Sequence, residues 1–439
     1  MGGRGSICRR ARACRRSAWL IGLMSIALHV QNPDLAAQIS WLTPRLPPVV
    51  TRETKGEADY YGAAHEIAVA VGLKQAPRSS ATWRHGWSFL PLVNPEAFAG
   101  YKPGERSHLV SNLEEESFLR EGGFPNAKAV GLPYLYAPVP NVQRRPSSVL
   151  VLPCHSLPEV RQHEEKQQHE LDFATYSASL REHFETVCAC VHGSCVKSGQ
   201  WVDALESQGI PWVTGAMVDD VNTLRRIRTL FGSFEVVMTN QLGSAIFYAA
   251  LDGARVCVSG PDALLPPMEA FRNHPFYQKH PEMIEMRAHG HPDRLRQRFP
   301  SLYVSATEAR FFVEGAQAAT GVAHQIDHAE VARLLGWRHC DADPDWQAED
   351  REKARRVFGW MPSHYGSSAS MEELGRTLKK LKLDAGAAAQ KLQELKGLEK
   401  EAKSSTKAQA ELATIKKSWA WRLLAKPLFS IEKRLRGLR

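Results

Sequence analysis

From Ser148 to Gly260 the chain alternates between short apolar runs and longer segments with helical spacing. "SVLVLPCHS" reads as a buried strand and Tyr176 to Phe184 as a helix. "TVCACVHG" is a strand, "WVDALESQG" a helix stopped by glycine, and "IPWVTGA" a strand. "VNTLRRIRTLFG" is a helix, and "VVMTNQLGSAIFYAALDGARVCVSG" is strand, polar loop, helix and strand. Continuous apolar runs of this length, separated by helices, imply strands buried on both faces of a parallel sheet. This pattern predicts an α/β protein with helices covering both sides of the sheet.

A second, weaker series precedes it. "GEADYYGAAHEIAVAVGL" (Gly56–Leu73) has small and apolar residues at helical spacing. "ATWRHGW" reads as a strand ending in a turn, "SHLVSN" as a strand, and "EEESFLREGG" as a helix with acids in its first turn. "NAKAVGLPYLYAP" is a strand that stops at prolines, and "NVQRRPSS" reads as a linker. The expectation is two Rossmann-like domains, residues 37–140 and 149–345, joined by a linker at 141–148 and facing across a cleft. Leu264 to Pro300 is expected to be irregular, and residues 346–370 to form a closing helix and linker.

The 439 residues suffice for two or three domains with real cores. The charge is uneven. Met371 to Arg439 holds 17 Lys and Arg against 8 Asp and Glu, which accounts for the whole formal net charge of +9. A basic tail on a neutral body points to an anionic surface as partner. Met371, Leu374, Leu378, Leu381, Ala385, Ala388, Leu392 and Leu395 repeat at spacings of three and four. Residues 371–416 therefore read as a coiled-coil-like helix, self-associating or folded back as a hairpin. Residues 417–439 interleave apolar and basic side chains, among them Trp419, Trp421, Arg422, Lys426 and Phe429. That is the pattern of an amphipathic helix lying in a membrane interface, with lipid and not nucleic acid as its partner. The location this predicts is cytoplasmic and peripheral on the inner membrane.

Residues 1–36 begin with six Arg and no acid before Ala18, followed by an apolar run too short to span a membrane. They read either as a signal peptide or as an extension of a cytoplasmic protein. Cys188, Cys190 and Cys195 have the spacing C-x-C-x4-C, which is no zinc pattern, and the strand alternation around them predicts buried free thiols.

In open α/β sheets ligands bind beyond the carboxyl ends of the strands, and a helix N-terminus attracts phosphate. The "TNQLGSA" turn fits this: Asn240 can cap, Gly243 allows close approach, and Ser244 adds a hydroxyl. Thr239 precedes them at the strand end. His155 and Ser156 in "PCHS" are expected at the same edge, as phosphate donor or general acid. Asp219 and Asp220 read as binders of a sugar hydroxyl or as a helix cap. His85 in "TWRHGW" is expected at the cleft edge of the first domain, placed as a base.

Three segments resemble bacterial GT-B-type glycosyltransferases of capsule and lipopolysaccharide clusters. "TWRHGW" is similar to the W-H-G segment of CDP-glycerol glycerophosphotransferase-like enzymes. "VVMTNQLGSAIFYAALDGARVCVSG" resembles their donor-binding segment, and "SWAWRLLAKPL" a tail common in polysaccharide glycosyltransferases. "SNLEEESFLREGGFPNAKAVGLPYLY" resembles the end of a GT-B N-terminal domain. The chain departs from the pattern by an Arg inside W-R-H-G, by Asn240 in place of Asp, and by lacking a Lys after the turn. The resemblance implies an inverting, metal-independent transfer with His85 as base and no cofactor. The donor would be a nucleotide-activated sugar or polyol phosphate, and the acceptor a glycan or lipid-linked glycan. A sugar-nucleotide epimerase and a non-catalytic scaffold of glycan assembly are the alternatives.

Overall fold

The computed structural model describes residues 28–100, 102–104, 106–155, 165–264, 271–272, 274–337 and Thr414. Met1–Trp360 form one unit and Met361–Arg439 another. All that follows concerns the first. The coiled-coil-like and amphipathic helices expected beyond Met371 lie outside the described residues, as do the closing helix expected at 346–370 and the first 27 residues.

Among the described residues, eight strands form two parallel sheets. β1 (Thr82–Trp83), β2 (His108–Val110) and β3 (Ala127–Ala129) lie in the order β1-β2-β3. The larger sheet contains β4 (Arg145–Leu152), β5 (Thr186–Val191), β6 (Trp212–Thr214), β7 (Phe234–Thr239) and β8 (Arg255–Val258), in the order β6-β5-β4-β7-β8. The chain winds outward from β4 to β6, returns to the centre, and winds the other way through β7 and β8. The order therefore reverses between β4 and β7, which is the switch point of a doubly wound sheet. Val149–Val151, all of β5 and Val236–Thr239 are buried, as strands covered on both faces must be. Cys188, Cys190 and Cys195 are buried free thiols within this core.

The sheet begins earlier than the expected linker at 141–148 allows, since Arg145 to Ser148 already belong to β4. The prolines and polar residues there look like a linker, but Arg145 is held in place: its Nε donates to Thr186 Oγ1 at 2.7 Å. The Gly56–Leu73 helix is broken. Tyr61 has φ 59 inside the first turn, and the regular helix is only Ala63–Ala70. Among the described residues, the 264–300 region includes the short α-helices Pro275–Lys279, Glu282–Met286 and Pro292–Arg298, the first and last with Pro at their starts.

Residues 28–52 and 320–337 cross between the sheets. Val30 N–H donates to Trp212 O at 3.0 Å and Thr214 N–H to Leu28 O at 2.9 Å, so residues 28–30 extend the larger sheet at its β6 edge. Arg52 N–H donates to Asp219 O at 2.8 Å. Residues 28–52 thus pack with the larger sheet and the loop after β6. Leu132 N–H donates to Thr320 O and Ser80 N–H to Leu335 O, each at 2.9 Å. These bonds return residues 320–337 to the side of the smaller sheet. Gly321 makes the return feasible: its φ is +75, and a Cβ there would sit 1.8 Å from Ser111 O.

Candidate functional site

The switch point brings two strand ends together. Leu152 and Thr239 are register partners at the carboxyl ends of β4 and β7, and Thr239 Oγ1 donates to Leu152 O at 2.8 Å. Asn240, next in the chain, is buried, with both ends of its amide in use. Its Oδ1 accepts from Cys154 N–H at 2.9 Å, and its Nδ2 donates to Pro261 O at 3.2 Å. One side chain thus ties the loop after β4, which carries His155, to the loop after β8.

The turn that follows β1 docks directly on the helix that follows β7, Ser244–Leu251. Trp87 N–H donates to Ser244 Oγ at 2.9 Å, and Tyr248 Oη donates to His85 O at 3.0 Å. The Trp87 ring meets Phe247 edge-on at 4.8 Å. Gly86 is required by this approach, because a Cβ on it would lie 2.6 Å from Ser244 Oγ. The two most distinctive motifs of the sequence therefore touch.

Between them lies a cavity of about 520 Å³. Its floor is apolar, from Leu224, Ile227, Phe231 and Leu242. Its polar groups include Arg84, His85, His155, His192, Thr239 and Ser244. Among the described residues that line it, none is Asp or Glu. No side chain caps the N-terminus of Ser244–Leu251, and a Cβ on Gly243 would meet nothing within 4 Å. The first turn of that helix therefore has no side-chain cap, and the positive end of its dipole lies at the cavity.

The charge state follows from the surroundings. Protein crowds His85 on the sides away from the cavity. The ring itself is exposed to the cavity, and the protein packed around it, with Arg84 and His155, holds its pKa down, to about 4. Tyr61 and Tyr60 flank its ring at 5.5 and 5.6 Å. His192 caps the short helix Gly193–Lys197: its Nδ1 accepts from Ser194 N–H at 3.2 Å and lies 2.7 Å from Ser194 Oγ. A backbone N–H can only donate, so the neutral ring carries its proton on Nε2. Burial, with His155 and Lys197, lowers its pKa to about 3. The His155 ring lies 4.7 Å from that of His192. Arg84, the formal charge of the lining, is drawn toward Glu115 at 3.1 Å and stacks over Phe98 at 4.3 Å. The cavity thus offers three histidines and one guanidinium with no carboxylate in its described lining, which suits an anion.

Of the residues singled out in the sequence, His85, His155, Thr239, Gly243 and Ser244 converge on this cavity. Ser156, Trp419, Trp421, Arg422, Lys426 and Phe429 lie outside the described residues. Three expectations are corrected. Asn240 is not the helix cap but the tie between loops; Gly243 occupies the cap position. The Ser244 hydroxyl accepts from Trp87 and so positions the turn. Asp219 and Asp220 do not line the cavity. Asp219 pairs with Lys197 at 3.5 Å. Asp220 is fully buried and accepts from Val50 N–H at 2.8 Å, Asn222 N–H at 3.1 Å and Thr223 Oγ1 at 3.2 Å, so it anchors the start of the helix Thr223–Ser233. Sequence reasoning overlooked His192. It follows β5 as His155 follows β4, and the same strand-end rule applied to "VCACVHG" would have found it. Arg84, Tyr61 and Tyr248 carried no such signal.

Among the described residues, no group of three or more His, Cys, Asp or Glu could hold a metal ion, and no helix is long and apolar enough to cross a membrane. Fold and site together define a doubly wound α/β protein with a cavity at its switch point. Compared with known proteins, the chain matches no family model, no curated protein and no solved structure.

Proposed function

We propose that the protein transfers a nucleotide-activated sugar, or a polyol phosphate, onto a cell-surface glycan or lipid-linked acceptor, by a metal-independent, inverting reaction. The observation that carries this reading is the meeting of the His85 turn with the uncapped N-terminus of Ser244–Leu251 at the switch point, in a cavity whose described lining holds no carboxylate. A diphosphate suits such a lining, and the turn sets a histidine beside it.

In the sugar transfer, His85 takes the proton of the acceptor hydroxyl. The acceptor oxygen attacks the anomeric carbon from the face opposite the diphosphate. The bond from that carbon to the diphosphate oxygen breaks, and the nucleoside diphosphate leaves with the electron pair. The helix N-terminus and the neighbouring histidines meet the developing charge. At a pKa of about 4 His85 is a weak base in the empty cavity. A bound diphosphate places negative charge nearby and raises that pKa toward neutrality, where general base catalysis is efficient. The C-terminal segments would hold the enzyme on the cytoplasmic face of the inner membrane through the basic amphipathic helix, with the coiled-coil-like helix available for self-association.

The test is a thermal-shift screen against CMP, CDP, UDP, GDP and ADP and their sugar conjugates. A ligand at 100 times its dissociation constant adds about 2.7 kcal/mol to stability. A selective shift with one base is the expected result and names the donor class. No shift with any of them, from well-folded protein, overturns the transferase reading and leaves the scaffold.

A further inference from the structure

His192 is the one histidine of the cavity that the sequence did not single out, and its geometry is specific. Nδ1 is committed to Ser194, and the proton-bearing Nε2 is buried without a hydrogen-bond partner among the described residues. A buried donor left unmade is costly, so a structure that keeps one has a use for it elsewhere. Its ring lines the cavity, and its neighbour there is His155, an exposed side chain whose ring lies 4.7 Å away on the loop after β4. His192 is fixed by its cap, while His155 is carried on the loop after β4.

We propose that His192 is a phosphate-binding residue: its Nε2–H donates to a phosphate oxygen of the ligand when His155 rotates away from it, and the two histidines then hold one phosphoryl group between them. This rests on the reading of the cavity as a diphosphate site. It places one phosphoryl group beside the ends of β4 and β5 and leaves the other to the helix N-terminus near His85; the Tyr61 ring lies 5.5 Å from His85 and 6.3 Å from His192. No proton is transferred by His192 in this role. Nε2–H donates in the neutral ring and in the charged one alike, so the role does not depend on which form a bound phosphate favours.

The experiment is calorimetric titration of the full chain with inorganic pyrophosphate, in the wild type and in His192→Asn. Asn is a good helix cap, so it preserves the bond from Ser194 N–H, but it is too short to present a donor to the cavity. The expected result is a loss of affinity of about tenfold or more with an unchanged melting temperature. Equal affinity in the two proteins overturns the role of His192 while leaving the transferase reading intact. If the wild type binds neither pyrophosphate nor any nucleotide, the reading of the cavity falls, and this inference with it. Should the variant fold poorly, histidine ¹⁵N spectra of the wild type decide the matter. Pyrophosphate is expected to shift the His192 Nε2 resonance and leave Nδ1 as an acceptor; an unmoved Nε2 refutes the proposal.

Discussion

Gly86→Ala is the sharpest probe of how the site is assembled. The substitution places a Cβ 2.6 Å from Ser244 Oγ, well inside contact distance. Gly86 does not have a positive φ, so the backbone tolerates alanine and the clash is the whole effect. Ser244 can relieve it only by leaving its rotamer, which breaks the 2.9 Å bond from Trp87 N–H and strands that donor. An unmade bond of this kind costs about 1–3 kcal/mol. Ser244→Ala alone removes the same bond at a similar cost. In the Ser244→Ala background Gly86→Ala has nothing left to strike and no bond left to break. The double variant should therefore be about as stable as Ser244→Ala, with a coupling of roughly 1 kcal/mol or more. Urea denaturation followed by tryptophan fluorescence measures all four proteins, and Trp87 itself reports the turn. Additive costs would show that the turn and the helix do not touch, and would remove the basis for placing His85 beside the helix N-terminus.

Other outcomes follow from the same geometry. His85→Ala should lower transfer by about 10²–10⁴-fold and leave the melting temperature within a few degrees, because the Tyr248 bond is to the His85 backbone; full activity would remove His85 as the base. A histidine whose folded pKa lies below its unfolded value of about 6.5 lends stability that is complete above that pH and fades as pH falls toward the folded value. His192, at about 3, should make the wild type lose more stability than His192→Asn between pH 6.5 and 5, with every carboxylate common to both proteins. Parallel stability curves would contradict the burial of its ring. Truncation after Ser370 should release the protein from vesicles containing anionic lipid in a sedimentation assay, and continued sedimentation would refute the tail as the membrane contact.

The sequence alone determined the parallel sheets and much of the site's chemistry. Runs such as "SVLVLP" and "TVCACV" can satisfy their apolar side chains only when both faces are covered, so their class was legible from local composition. His85, His155 and the Gly243-Ser244 turn were legible because a strand followed by a polar loop and a helix places its loop at the carboxyl edge in any such fold. What only the tertiary structure decided was partnership. Sequence could not show that Ser244 serves Trp87, that Asn240 ties two loops, or that Asp220 anchors residue 50 across 170 positions, because a polar side chain near a strand end serves ligand and scaffold equally well. The order β6-β5-β4-β7-β8, and with it the switch point, depends on long-range pairing that local patterns do not encode. The crossing of residues 28–52 and 320–337 between the sheets comes from backbone hydrogen bonds, and these are indifferent to side-chain type.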